Sequence, residues 1–385
     1  MIRPRRAVPL ALMFTLAAAL NAHAQGALST QGFGFPPGQL STRALATGGG
    51  LGEFDPDSPL NPASIALSSD PRVYLQYEPE FRRFSIAGAT ANSTIARFPV
   101  TAASVPFGSR GSIGASVSTF LDRSFFTTTT RDEVIAGQNA TITESFRVLG
   151  AINDVRLAAG VALTPRLQIG VAGHVFTGQN RVFFDQSFPD SLKFSPVSQT
   201  STLSFTGFGF SAGTIFRPSR QFALAVSGRK GGDLRSRAND TIASEAHVPD
   251  RIGAAVSYEG IAGASFSAHA ARDSWSALNG LGSAAATAVD SWEGGIGLEA
   301  AGPRVAERLF VLRAGARYRT LPFQAAGRDV AELSFAGGIG AQFFRNRAAL
   351  DLTLQHSRRS PDGAGEIGSA RERAFTLSFG LRVRP

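Results

Sequence analysis

The chain has no cysteine among its 385 residues. That excludes disulfide staples and lipid attachment at an N-terminal cysteine. Lysine is almost missing: it occurs only at Lys193 and Lys230, so arginine carries nearly all of the formal charge of +9. The arginines are scattered and form no run beyond residue 6, which argues against a nucleic-acid-binding stripe and for contact with lipid phosphates or a polar bore. Charged residues make up 17%, against about 25% in ordinary soluble proteins. Trp (2) and Tyr (4) are few beside 30 Phe, so any aromatic girdle at a membrane interface has to be built mostly of Phe. No run approaches the ~20 apolar residues that a spanning helix needs. No solenoid-length repeat and no interdomain linker is visible.

What is present begins with a secretory signal. Arg3, Arg5 and Arg6 precede the short apolar run 7–20, and Ala22-His23-Ala24 forms a small-x-small cleavage site. Residues 1–24 are therefore expected to be removed. Residues 25–70 are rich in breakers, including Pro36-Pro37-Gly38 and Gly48-Gly49-Gly50, yet Leu60 to Ala66 is partly apolar, with Asn61 as a cap and Pro62 at a first helical position. This stretch reads as a periplasmic or lumenal hatch rather than a loose tail.

From residue 71 to 385 the dominant signal is a period of two. Phe375, Leu377, Phe379, Leu381 and Val383 alternate with Thr376, Ser378, Gly380 and Arg382, and the beat recurs around 252–258, 310–318 and 350–355. Short links at 107–110, 164–166, 217–220, 259–261, 301–307 and 345–347 carry turn residues. Longer polar links fall at 90–96, 123–140, 180–198, 231–246, 276–288, 321–329 and 359–370. Their alternation predicts fourteen strands, the first over 72–89 with a possible split at Glu78-Pro79-Glu80, and the fourth over 141–163. The expected fold class is all-β: a single 14-stranded antiparallel transmembrane β-barrel with an N-terminal plug, lipid outside and water inside.

The chemistry-bearing residues are sparse. Gly207-Phe208-Gly209 and Gly337-Gly338-Ile339-Gly340 lie inside strands with no helix after them, so a phosphate-cradling loop fails on context. No two histidines share a metal-ligand spacing. Neither a metal, a cofactor nor enzymatic activity is expected. A hydrolase embedded in the wall would have to use His269, on the polar register with Ser265 and Ser267, without any local nucleophile signature. Arg313, Arg317 and Arg319 share the polar face of one strand, with Asp351 and Glu332 as candidate partners on neighbouring strands. They read as a rigidifying ladder lining the lumen, or as a binder of anionic head groups. Trp275 and Trp292 flank the link 276–288, as interface anchors or as a greasy entrance.

Several segments together resemble the FadL/toluene-channel (OmpP1-type) outer-membrane transport superfamily. They are the glycine-rich 44–52 leading to Leu60-Asn61-Pro62-Ala63-Ser64, Val248-Pro249-Asp250-Arg251-Ile252-Gly253, Arg272-Asp273-Ser274-Trp275-Ser276, and 312–319 followed by Leu321-Pro322-Phe323. The resemblance implies a monomeric barrel in the bacterial outer membrane, with outer-membrane lipid and the barrel-assembly machinery as partners. It implies a hatch gated at Asn61, Pro62 and Ala63, and passive uptake of hydrophobic small molecules of long-chain fatty-acid or hydrocarbon type through a side opening. A related group in that superfamily shuttles secreted proteins, which is the alternative function.

Overall fold

The computed structural model describes residues 23–25, 34–68, 70–86, 89–135, 138–189, 194–281, 287–305, 308–325, 327–344, 347–361 and 370–385. The expected signal peptide lies outside the described residues except for its last two, as do parts of several links.

Fourteen antiparallel strands close into one ring. They are β1 (Arg72–Ile86), β2 (Ala89–Arg97 and Val100–Phe107), β3 (Gly111–Asp122 and Phe125–Ile135), β4 (Gln138–Thr164), β5 (Leu167–Ser187), β6 (Val197–Phe216), β7 (Phe222–Ala238), β8 (Thr241–His247 and Arg251–Ile261), β9 (Ala264–Asp273), β10 (Ser291–Val305), β11 (Arg308–Ala325), β12 (Arg328–Phe343), β13 (Ala348–Pro361) and β14 (Arg371–Val383). The ring closes where β14 pairs with β1, Phe375 opposite Phe81 and Val383 opposite Val73. Among the described residues no helix is long and apolar enough to cross a membrane; the crossing is made by strands.

Burial is inverted relative to a water-soluble sandwich. Leu75, Phe81, Leu354, Phe375 and Leu381 are exposed on the outer surface. Arg82, Glu80, Thr353, Gln355, Thr376 and Ser378, at the alternate positions of the same strands, are buried within the ring. An apolar exterior around a polar interior is the arrangement lipid selects. The short links lie on the side of both barrel termini, taken as periplasmic, and the long strands rise beyond the lipid band on the other.

The strand count stands as read, but several boundaries do not. The link at 90–96 is strand, paired with Glu78–Ile86. Much of 123–140, 231–246 and 321–329 is strand as well, and β4 begins at Gln138, paired there with Phe125–Ile135. The hairpins at 123–140, 231–246 and 321–329 rise above the lipid band, where both faces meet water and no apolar beat marks a strand, whereas at 90–96 the outward register is Thr90, Asn92, Thr94 and Ala96, too small and polar to show one. Pro79 does not split β1: it stays within the strand, opposite Ala96 of β2, while the β14 ladder skips 78–79. The link 276–288 is partly a 3-10 helix, Trp275–Leu281, with Trp275, Leu278 and Leu281 buried.

Candidate functional site

The bore has two floors, and the lower is filled by residues 34–68. A helical turn, Thr42–Ala46, is capped by Ser41, and a 3-10 helix, Pro62–Leu67, is capped by Asn61, whose Oδ1 accepts from the Ala63 amide at 2.9 Å. The segment presses on the wall through glycines. A Cβ built on Gly295 would stand 2.0 Å from the Gly48 carbonyl oxygen, and one on Gly315 would stand 2.2 Å from the Thr47 carbonyl carbon. On the opposite wall, a Cβ on Gly170 would meet the Pro62 carbonyl at 2.4 Å, and one on Gly213 would meet Asn61 Oδ1 at 2.1 Å. Gly48 and Gly49 themselves have φ of 58° and 85°, left-handed backbone that favours glycine.

Polar bonds secure this floor. The Thr42 amide donates to the Tyr74 hydroxyl at 2.8 Å, and the Thr353 hydroxyl donates to the Thr42 carbonyl at 2.8 Å. Asp57 accepts from Arg382 Nε at 2.6 Å, with Arg72 at 3.7 Å. Arg43 grips Glu299 through two bonds of 2.8 and 2.7 Å. Burial pushes the Glu53 carboxyl above its ordinary range, against the pull of Arg251.

The arginine ladder is paired throughout. Arg313 bonds Glu299 and Asp351, each at 2.6 Å; Arg317 bonds Glu293; Arg319 bonds Glu332 at 2.7 Å and the Pro36 carbonyl at 2.8 Å. His269 is buried beneath Gly49 and stands 3.8 Å from Glu293. Asn61, Pro62 and Ala63 are all buried between the segment and the wall.

Above this floor sits a residue that sequence reasoning missed. The Phe35 ring is surrounded by four guanidinium groups, of Arg359, Arg82, Arg319 and Arg97, at 4.4, 4.9, 5.0 and 5.3 Å from its centroid. Glu80, Glu332, Glu372 and Asp122 neutralise the arginines around it. The pairing of β1 and β13 with β14 turns Glu80, Arg82 and Arg359 inward, but nothing in the sequence ties them to Phe35. Also unforeseen is a buried chain of Asp154, His174 and Ser211, with bonds of 2.9 and 2.8 Å at the two ring nitrogens. That order of groups is the one a nucleophilic hydrolase uses. Here Gln39 of the inner segment donates to Asp154 at 2.8 Å and Ser211 is only 4% exposed, so the chain is a strut between segment and wall.

The upper floor is apolar. Phe120, Phe176, Phe205, Leu234, Trp275 and Phe323 belong to one buried cluster. Trp275 stacks on Phe120 at 5.0 Å, and the Arg229 guanidinium lies 5.1 Å from the Phe120 centroid. A register shift after Thr320 accompanies the burial of both Leu321 and Phe323 in this cluster. The Trp275 helix is pinned from outside: Asp290 accepts from the Ser276 hydroxyl at 2.6 Å and from Arg272 at 3.0 Å. The Ser276 bond, with help from Arg272, holds the Asp290 carboxyl below its usual range. The two tryptophans thus separate. Trp275 is inside the mouth, while Trp292 is 58% exposed on the outer surface under Arg272.

The wall is not continuously paired. β2 and β3 pair along their lower halves, and the last link is the Thr119 amide on the Pro99 carbonyl at 3.0 Å. Above it, Ala89–Arg97 pairs only with β1, and among the described residues no backbone ladder joins it to β3. There β3 is met instead from within: the Phe35 amide donates to the Asp122 carbonyl at 2.7 Å and the reverse bond is 2.9 Å. Higher up, the three-residue strand His23–Gln25 pairs with Phe126–Thr128 of β3.

No protein-family profile and no curated protein matches the chain. Solved structures do. A FadL homologue of Pseudomonas aeruginosa is similar at 13% identity, with 91% of this chain and 99% of that one covered and a TM-score of 0.61. The toluene transporter TbuX of Ralstonia pickettii is similar at 15% identity, covering 90% and 98%, with a TM-score of 0.56. The toluene transporter TodX of Pseudomonas putida is similar at 12% identity over the same shares, with a TM-score of 0.56. The chain has the fold of these FadL-type outer-membrane channels over nearly its whole length.

Proposed function

We propose that this chain is an outer-membrane channel for the passive entry of hydrophobic small molecules, of the hydrocarbon or long-chain fatty-acid type. The observation that carries the reading is the apolar mouth standing directly over an unpaired interval of wall. Phe120 and Leu121 belong to the mouth cluster and lie just past Thr119, where β3 leaves β2, and at the next residue, Asp122, β3 takes Phe35 as its backbone partner. An apolar molecule entering beside Trp275 would slide past Phe120 to a gap that opens sideways into the membrane, without crossing the polar lower floor. Residues 34–68 would act as the hatch that seals the bore against water and ions. Asn61, Pro62 and Ala63 would anchor that seal, and the movable part would be the stretch around Phe35. If the chain is cleaved after Ala24, only Gln25 of the three residues paired with β3 would remain beside the interval. The likeness in fold to the toluene transporters TbuX and TodX supports the substrate class.

Entry of radiolabelled toluene and oleate into vesicles with a lipopolysaccharide outer leaflet tests the proposal. The wild-type chain should admit both probes well above the protein-free rate while retaining a small hydrophilic dye. Trp275→Ala should slow the apolar probes, and deletion of 25–70 should release the dye. Apolar entry no faster than in protein-free vesicles would refute the channel. Equal dye leak with and without 25–70 would refute the hatch.

A further inference from the structure

The outer surface carries a row of like charges. On the register that faces lipid, Arg358 of β13 lies directly opposite Arg373 of β14, and Arg373 lies directly opposite Arg83 of β1. All three are exposed. Adjacent strands are ~4.8 Å apart, so the three sit abreast within roughly 10 Å. Like charges directly opposite one another destabilise a sheet unless something neutralises them. At this level the carboxylate is on the wrong side of the wall: Glu372, beside Arg373 in the chain, is buried inward on Arg359. Among the described residues no ion pair reaches Arg83, Arg358 or Arg373.

Two contrasts give the row its meaning. Directly below it the same register carries Phe81 and Phe375 opposite one another, flanked on β13 by the half-buried His356, and Leu354 and Leu381 follow further down; the four apolar residues are exposed. The row therefore stands at the outer rim of the lipid band. Elsewhere on this side of the barrel Lys230 bonds Asp250 at 2.6 Å, and Arg272 bonds Asp290 at 3.0 Å. Arg147 and Arg181, on β4 and β5, are exposed without an ion pair among the described residues, but each lies opposite an apolar residue, Phe183 and Leu149. On β13, β14 and β1 three such guanidiniums stand abreast.

We propose that Arg83, Arg358 and Arg373 form a binding site for the head group of an outer-leaflet glycolipid bearing more than one phosphate. Guanidinium forks match phosphate oxygens in pairs, and three abreast can take two phosphate groups while the acyl chains lie along the apolar register beneath. The bound lipid would neutralise the row and pack against the seam where the barrel closes. This site does not depend on what passes through the bore.

Native mass spectrometry of the detergent-purified barrel is the test, with a diphosphorylated glycolipid, its dephosphorylated form and soluble pyrophosphate as probes. The variants are Arg83→Gln/Arg358→Gln/Arg373→Gln and, as a rim control, Lys230→Gln/Arg272→Gln. From about one kcal/mol per arginine near a charged head group, the diphosphorylated lipid should bind the wild type on the order of a hundredfold more tightly than the triple variant. The control should bind like the wild type, and the dephosphorylated lipid should show no preference among the three proteins. Equal binding of the diphosphorylated lipid by wild type and triple variant would overturn the proposal. So would pyrophosphate competing at concentrations as low as the lipid's own, which would mark an ion site rather than a lipid site. Should the triple variant fail to fold, Arg373→Gln alone and the salt dependence of wild-type binding decide: affinity unmoved by either would overturn it.

Discussion

The two floors of the bore are built on opposite principles. The lower one is fixed by shape and charge: backbone of 47–50 and 61–63 lies against wall glycines, and Asp57, Arg43 and Thr42 bond to four different strands. Each such contact is specific, and a buried ion pair that loses one partner leaves a charge stranded in a poorly solvating place. The upper floor is held by Phe, Leu and Trp side chains, whose attraction is non-directional and survives rearrangement. A molecule that must be passed on is best met by surfaces that can re-form after it leaves, and a seal by contacts that cannot slip. On the proposed reading, the difference would divide the labour between mouth and hatch without asking the whole plug to move.

The sharpest way to break this comparison is at the glycines. Gly295→Val and Gly315→Val each place carbon where hatch backbone now stands, so the hatch should be driven out of its seat and ion conductance in planar bilayers should rise many-fold. Gly294→Val is the matched control, since its Cβ would meet nothing nearer than the His269 carbonyl at 3.6 Å. If Gly295→Val and Gly294→Val conduct alike, the glycine contacts do not hold the seal.

Why these glycines escape a reading of the sequence is instructive. Gly294 and Gly295 are neighbours in β10, and composition cannot say which of them faces the hatch. Placing them required the register with β9 and β11, which depends on pairings far apart in the chain. The wall itself was legible because lipid imposes the same beat on every strand. Ala89–Arg97 passed for a loop because its outward register is Thr90, Asn92, Thr94 and Ala96, too small and polar to carry the beat. Arg313 and Asp351 were legible as partners because each sits on the polar register of a strand with a strong apolar face. Phe35 was not, since a single ring in a breaker-rich stretch has no periodicity to read.

A smaller effect should come from the charge anchors. Asp57→Ala leaves Arg382 and Arg72 without their buried carboxylate, and the loss of one partner from such a pair costs about 3–5 kcal/mol. The barrel should still fold, judged by its compact migration in unheated gels. Its unfolding midpoint in urea should fall, and single-channel records should show brief openings that the wild type lacks. A variant that unfolds like the wild type and stays silent would mean that the glycine seat alone secures the hatch.

The smallest expected effect lies at the mouth and is set by pH. In the folded chain the Ser276 hydroxyl, aided by Arg272, keeps the Asp290 carboxyl ionised to lower pH than in the unfolded chain. A depressed carboxyl contributes stability that is present above its unfolded value, near pH 4, and is lost as pH falls through the folded value. Acidification below about pH 4 should therefore release the pin on the Trp275 helix while the hatch, sealed by glycine contacts that do not titrate, stays shut. In a Trp292→Phe background, Trp275 emission should shift to the red on acidification with no gain in ion conductance, and Asp290→Asn should show the shifted emission already at pH 7. Conductance rising together with the emission shift would mean that mouth and hatch move as one body, and the division between the two floors would fail.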